Sequence, residues 1–230
     1  LKIICLTNDK AIWATKPFAH LFNKYWGSDQ EVTIFGFNYP DFYYPDNFTF
    51  VSCDSYNWPA ERWTNQLRLA LEQTVDDLVI IFLEDYWLCK PVDIAAVRSM
   101  YEYAASEPDL LRIDLTNDRS QHKGAFKYHE YNGYDIIRTL QPIKYQMSYQ
   151  VGVWNRNNLL KLLVPNETAW QSEIEGSKRV PNDMLALGLK EPVVSYIPVL
   201  RKNKQGLQGF KKFDKIDQDE LLKLIPKDKR

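Results

Sequence analysis

The chain has 230 residues, 45% of them hydrophobic and 26% charged, proportions that exclude a disordered or fibrous polymer and allow a packed core without staples. Its three cysteines, Cys5, Cys53 and Cys89, are too few and too scattered for a disulfide framework or a zinc pair, which points to a reducing, cytoplasmic setting. The net charge of −1 conceals an asymmetry, since residues 1–115 carry 9 Lys/Arg against 17 Asp/Glu while residues 116–230 carry 20 against 13, a distribution suited to an anionic ligand met from the C-terminal side and a cation held by acidic groups.

Leu1–Leu6 is a continuous apolar run ending in Thr7-Asn8-Asp9, which reads as a buried strand feeding a polar loop. Phe18, Leu21, Phe22 and Tyr25 recur at helical spacing behind Pro17, Gly27-Ser28-Asp29 stops that helix, and Val32–Phe37 is a second strand. Residues 38–46 are irregular and Thr49–Ser52 is a short strand. Trp63, Leu67, Ala70, Leu71 and Thr74 predict a helix starting near Ala60, with Pro59 close to its first turn. Leu78–Leu83 is apolar at every position and is the strongest central-strand signal; Glu84-Asp85 ends it. Asp93 then caps a helix over Ile94–Ala105, and Leu110–Leu115 is a further strand. Alternation of strands and helices over this half predicts an α/β fold with an open, mostly parallel mixed sheet flanked by helices.

Beyond residue 115 the pattern loosens. Residues 116–135 are polar, carry His122 and His129, and read as a long loop of the lid or acceptor-facing kind. Tyr145–Trp154 is a strand candidate, Asn155–Val164 a short helix, Val193–Leu200 a late strand and Asp217–Ile225 a terminal helix in a basic tail. No apolar run approaches the roughly 18 residues of a membrane span, and no repeat or linker divides the chain, which is read as a single domain over 1–230.

Ligands of open α/β sheets bind outside the carboxyl ends of the strands, where Glu84 and Asp85 stand as hard oxygen donors for Mg²⁺ or Mn²⁺. Thr7, Asn8 and Asp9 close the first strand and offer side chains to a base and ribose. Neither a Rossmann nor a P-loop glycine pattern occurs, and there is no Gly-x-Ser-x-Gly, which disfavours dehydrogenases, P-loop kinases and serine hydrolases.

Three segments then carry a resemblance: Phe82-Leu83-Glu84-Asp85-Tyr86-Trp87-Leu88, Ser148-x-Gln150-x-Gly152-x-Trp154, and Trp170-x-x-Glu173-x-x-Gly176-Ser177. In that order they resemble the signatures of GT-A-type glycosyltransferases of bacteria and viruses, within the nucleotide-diphospho-sugar transferase superfamily, over most of the chain. The resemblance implies a GT-A-like fold in which residues 1–115 bind the nucleotide sugar, 116–200 face the acceptor and 201–230 form a basic tail. It implies a hexosyltransferase-like enzyme moving a sugar, from a UDP-sugar or related donor, to a hydroxyl of a surface glycan or polysaccharide precursor. Thr7, Asn8, Asp9, Arg62, Glu84, Asp85 and Tyr86 would serve the donor, with Asp85 and Glu84 in the place of the family's Asp-x-Asp metal motif, from which this sequence departs by lacking the second aspartate. Ser148, Gln150 and Trp170 would meet the acceptor, and Glu173 would act as general base if the configuration inverts or position the sugar if it is retained, with Asp183, read as opening a helix, in competition for the base role. Two alternatives remain: a hydroxymethylated base in DNA as acceptor, its phosphates tracked by Arg201, Lys202, Lys204, Lys211, Lys212 and Lys215, and a module that binds nucleotide sugar or carbohydrate without turnover.

Overall fold

The computed structural model describes residues 1–53, 62–139, 144–200 and 207–230. In chain order the elements are β1 (Ile3–Leu6), α1 (Thr15–Tyr25), β2 (Val32–Gly36), β3 (Phe48–Ser52), α2 (Trp63–Glu72), β4 (Leu78–Leu83), β5 (Tyr86–Leu88), α3 (Ile94–Ser106), β6 (Leu110–Asp114), β7 (Ala125–Tyr131), β8 (Tyr134–Thr139), β9 (Gly152–Asn155), α4 (Arg156–Leu162), α5 (Ala169–Arg179), β10 (Leu185–Leu189), β11 (Tyr196–Pro198) and α6 (Lys215–Leu224). The first half follows the sequence closely. Asp93 caps α3 by accepting from the Ala96 amide at 3.0 Å, and β1 and β4 are buried along nearly their whole length. Pro59 and Ala60, where the expected helix was to begin, lie outside the described residues; α2 begins at Trp63.

The chain condenses as two compact units. One takes the described residues within Leu1–Ile4, Tyr56–Phe82 and Asp93–Val193, and its strands lie in the order β4-β9-β6-β10-β8-β7. β9 is antiparallel to both neighbours, β10 runs parallel to β6, and β8 and β7 continue antiparallel, so β4, β6, β10 and β7 all point one way. Helices α3 and α4 pack on β6 and β9, and α2 packs on α4 and α5. This is the mixed, helix-flanked α/β sheet that the alternation predicts. The other unit takes Cys5–Ser55, Leu83–Val92 and Val194–Arg230, again where described. In it β2 and β3 pair in parallel, β5 and β11 pair antiparallel, and α1 packs on β5 and on α6.

Four expectations need correction. The polar stretch 116–135 is not one long loop: it contains a short 3-10 helix, Arg119–Gln121, and then β7, which forms a hairpin with β8. Its turn is Asn132-Gly133, both at positive φ (50° and 83°), the Asn-Gly pair that two-residue hairpins favour because its backbone twist matches that of the strands. The strand expected over Tyr145–Trp154 is confined to Gly152–Asn155, since Tyr145 stands at φ 64° and the backbone around it bonds to side chains rather than to a strand. Asp183 does not open a helix. It lies in a turn closed by the Met184 amide on the Pro181 carbonyl, after which Leu185 enters β10. The last helix starts two residues early, at Lys215, because Asp214 caps it through the Asp217 amide at 2.8 Å.

Candidate functional site

The acidic doublet occupies the two-residue connection between β4 and β5. Trp87 is buried beneath it and donates its indole N–H to the carbonyls of Glu84 (3.1 Å) and Ala14 (3.2 Å), which fixes the backbone of the turn. Asn8 reaches the same turn, its Nδ2 donating to Glu84 Oε1 at 3.5 Å while its Oδ1 accepts from the Lys10 amide at 3.0 Å. Asp9 points elsewhere: its carboxylate accepts from the amide and side chain of Asn38, at 3.0 and 2.6 Å, and so ties down the loop after β2. Thr7 is buried, bonding its amide to the Phe35 carbonyl. The ring of Tyr86 is buried and stacks on Tyr196 at 4.2 Å, so it belongs to the packing under the turn. Of the expected donor group the structure thus brings Asn8 and Glu84 into contact in the second unit, beside Asp85. Arg62 is exposed at the N-cap of α2 in the first.

Burial and the neighbouring Asp85 charge push the Glu84 carboxyl up to about 8, and burial raises Asp85 to about 6, against bonds from the Leu200 amide and its own that favour its charged form. Two adjacent carboxylates are a hard donor set. Mg²⁺ and Mn²⁺ accept one or two such groups and complete their shells with phosphate and water oxygens, and a cation relieves the repulsion that opposes ionisation of the pair. The residues therefore fit a divalent ion shared with a ligand. Among the described residues no group of three or more His, Cys, Asp or Glu side chains is assembled to hold a metal alone.

The second locus is built by α5 against residues 145–150. Thr168 and Gln171 form a capping box that starts the helix, each side chain satisfying an amide that helix geometry leaves open. From that start Glu173, Gly176 and Ser177 fall on one face by their i, i+3 and i+4 spacing. Glu173 Oε1 accepts the Tyr149 amide at 2.7 Å, and Ser177 Oγ accepts the Met147 amide at 3.0 Å. Gly176 lies under Met147 so closely that a Cβ would stand 2.5 Å from its sulfur. Ser172 Oγ bonds the buried Tyr149 hydroxyl at 2.7 Å. The segment Trp170-x-x-Glu173-x-x-Gly176-Ser177 is thus a helix face docked on the segment Ser148-x-Gln150-x-Gly152-x-Trp154. Gly152 has its own reason: in β9 it stands opposite Asp114, and a Cβ there would approach the Ile113 carbonyl oxygen to 2.7 Å.

Glu173, Ser148 and Gln150 line one pocket of about 340 Å³. Burial raises the Glu173 carboxyl above its ordinary value, opposed by the Tyr149 N–H, the Arg112 charge and a bond from Ser148. The same pocket is lined by Asp118, Gln121, His122 and Tyr145, none of which sequence reading named as a site residue. What positions them is a fully buried ionic cluster. Arg112 pairs with Asp114 at 3.2 Å and lies over the Trp154 ring at 5.0 Å; Asp114 accepts from the Thr116 hydroxyl and the Arg119 amide, both at 2.8 Å. Arg119 donates to Thr139 Oγ1 and to the carbonyls of Tyr145 and Gln146, at 3.0–3.2 Å, so one buried guanidinium sets the path of the 145–148 turn. The alternation Arg112-x-Asp114 inside an apolar strand was the available signal, since residues two apart share a sheet face.

Trp170 is 65% exposed on α5, free to meet a ligand but without a role in the core. Trp63 and Trp154 both pack on Tyr149, at 4.5 and 5.6 Å. Asp183 does not line the Glu173 pocket. His20 binds Glu220 at 3.0 Å and His129 stacks on Tyr103. Of the basic tail, Arg201, Lys202 and Lys204 lie outside the described residues, and Lys215 pairs with Asp219. The three cysteines are free, and among the described residues no helix is long and apolar enough to cross a membrane.

No protein-family model and no curated protein sequence matches the chain. Solved structures do resemble it. The crystal structure of S. aureus TarS 1-349 superposes with a TM-score of 0.51 at 15% identity, over 84% of this chain and 59% of that one. The same fragment in complex with UDP gives 0.50 at 14% identity, over 84% and 59%, and the longer S. aureus TarS gives 0.50 at 16%, over 84% and 36%. At such identities the likeness establishes the fold, which is GT-A-like. The chain spans less than two thirds of those TarS chains.

Proposed function

We propose that the protein transfers a glycosyl group from a nucleoside-diphosphate sugar to a hydroxyl acceptor, with inversion at the sugar carbon. The observation that carries this reading is the Glu173 carboxylate, anchored by a backbone amide on the wall of a polar pocket and raised by burial toward the range in which a general base works. As the acceptor oxygen bonds to the anomeric carbon, its proton passes to Glu173 and the bond from that carbon to the diphosphate breaks. The other unit carries, at its Glu84-Asp85 turn with Asn8 alongside, groups that suit a diphosphate. A divalent ion on Asp85 and Glu84 would supply Lewis-acid neutralisation of the phosphates there. Uridine diphosphate is the first donor nucleotide to test, because the TarS fragment of the same fold has been crystallised with UDP. A glycan or polysaccharide precursor is the acceptor class that the polar lining suits.

The test is a thermal-shift panel of UDP-, GDP-, CMP- and dTDP-sugars with and without Mn²⁺, followed by measurement of slow donor hydrolysis. A ligand at 100 times its Kd stabilises the native state by about 2.7 kcal/mol, which for a chain of this size raises Tm by roughly 5–10 °C. A shift with one nucleotide family together with sugar release supports the reading. Absence of both with every donor refutes it.

A further inference from the structure

The carboxyl-terminal segment of the second unit forms a cavity of about 510 Å³ that the transferase reading does not use. Leu207, Phe210 and Leu222, all half-buried, line it together with the exposed Lys211, Lys212 and Arg230. Packing beneath holds these walls in place. Gly209 stands at φ 69°, so close to Ile197 that a Cβ would come within 2.6 Å of its Cγ2, and this turn directs the chain into the short 3-10 helix Phe210–Lys212. Phe213 is then buried against Trp87, with ring centroids 6.2 Å apart, Asp214 caps α6, and Leu221 and Ile225 are buried. Arg230 donates its Nε to the Ile225 carbonyl at 3.1 Å, which keeps the guanidinium at the cavity. Lysine and arginine stems cover apolar surface while their charged heads stay in water, so the three cations ring an apolar hollow.

The charges of this segment do not cancel at the cavity. Within residues 207–230 all five acidic side chains are engaged: Asp217 and Glu220 bind Lys24, Glu220 also binds His20, Asp219 pairs with Lys215, Asp228 pairs with Lys229, and Asp214 caps α6. Lys211, Lys212 and Arg230 pair with no carboxylate among the described residues. We propose that the cavity takes the apolar chain of an anionic lipid at a bilayer surface, with Lys211, Lys212 and Arg230 on its phosphate-bearing head. The phosphates of a nucleic acid would use the cations and leave the apolar walls in water; an uncharged lipid would do the reverse. A lipid anion satisfies both. Sites for dissolved small molecules cover most of the ligand, which a hollow with half-exposed walls does not do, whereas in a bilayer the neighbouring lipids cover the remainder. One buried chain gives only marginal, reversible membrane binding, and a basic cluster supplies the second signal.

The experiment is co-sedimentation of the native chain with vesicles of phosphatidylcholine alone and of phosphatidylcholine mixed with phosphatidylglycerol, with a melting curve for each variant. The native chain should sediment with the mixed vesicles and far less with the neutral ones. Dodecyl phosphate should release it, where inorganic phosphate and dodecyl maltoside do not. The double variant Lys211→Gln, Lys212→Gln should lose roughly 30-fold in partitioning, the equivalent of about 2 kcal/mol for two basic residues at an anionic surface. Leu222→Gln keeps every cation and should lose roughly 10- to 100-fold. Lys223→Gln, Lys227→Gln removes the same charge outside the cavity and should cost several-fold less than the first pair. If Leu222→Gln melts early, the competition by amphiphiles on the native chain still decides. Equal binding to both kinds of vesicle, or to neither, would overturn the proposal. So would release by inorganic phosphate or duplex DNA as readily as by dodecyl phosphate, equal losses in the two lysine pairs, unchanged binding in Leu222→Gln at native Tm, or binding of dodecyl phosphate without binding of vesicles.

Discussion

Glu173→Gln separates the chemistry of the pocket from its architecture. In the native chain Oε1 accepts the Tyr149 amide at 2.7 Å, and the amide oxygen of glutamine accepts the same bond, so the docking of α5 on residues 145–149 survives. What disappears is the proton acceptor. A positioned general base contributes about 10²–10⁴ in rate, or about 2.7–5.5 kcal/mol of activation free energy, and kcat should fall by that factor with donor KM nearly unchanged. Stability should move the other way. Burial raises the native carboxyl, so between its unfolded and folded values the unfolded chain binds fewer protons than the folded one, and native stability declines as pH rises through that window. Glutamine removes the decline, and the Tm of the variant should equal or exceed the native value at neutral pH. The native rate should also climb with pH along a limb lying above the ordinary glutamate value of about 4.3, a limb the variant lacks. Initial rates of sugar transfer across pH, with a melting curve at each point, check all three. Native kcat in the variant, or a loss of activity that tracks a loss of Tm and of the donor-induced shift, would refute the assignment.

Asp85→Asn should weaken donor-induced stabilisation and any response to Mn²⁺; it should also flatten the fall in Tm with pH, because the native pair loses stability as pH rises through its raised values of about 6 and about 8. Scanning fluorimetry with and without donor reads both, and an unchanged metal response would place the ion elsewhere. Arg119→Met strands the buried acceptors that the guanidinium serves and leaves Asp114 short of charge balance, a loss of roughly 3–5 kcal/mol and about 6–20 °C in Tm; calorimetry showing a native Tm would mean that the turn is held by other bonds. Trp170→Ala removes a side chain 65% exposed, so stability should stay within about 0.5 kcal/mol, and a raised acceptor KM would mark its ring as a sugar contact.

The first half of the chain was legible because its signals are local. Leu78–Leu83 is apolar throughout, Asp93 sits where a cap is required, and each element ends near its turn residues. In the second half, structure depends on partners distant in sequence. Residues 145–151 fall inside the strand expected over Tyr145–Trp154, but Arg119, Glu173 and Ser177 take their backbone groups and no ladder forms there. The hairpin β7–β8 was signalled by Asn132-Gly133, a short-range cue outweighed by the polarity of the surrounding sequence. Asp118, Gln121 and His122 were marked only as part of a polar, acceptor-facing stretch; the pocket they share with Glu173, and the buried Arg112-Asp114-Arg119 cluster beside it, depend on partners distant in sequence.

Close packing also accounts for the small residues of the two late motifs. Gly176 and Ser177 are required by the close docking of α5, and Gly152 by the approach of β9 to the Ile113 carbonyl; neither glycine brings a side chain to the pocket. Glu173 alone among the α5 face residues has its carboxylate both in that packed seam and on the pocket wall. A carboxylate raised by burial is an expensive way to anchor one amide, because an amide or hydroxyl side chain would serve Tyr149 without desolvating a charge.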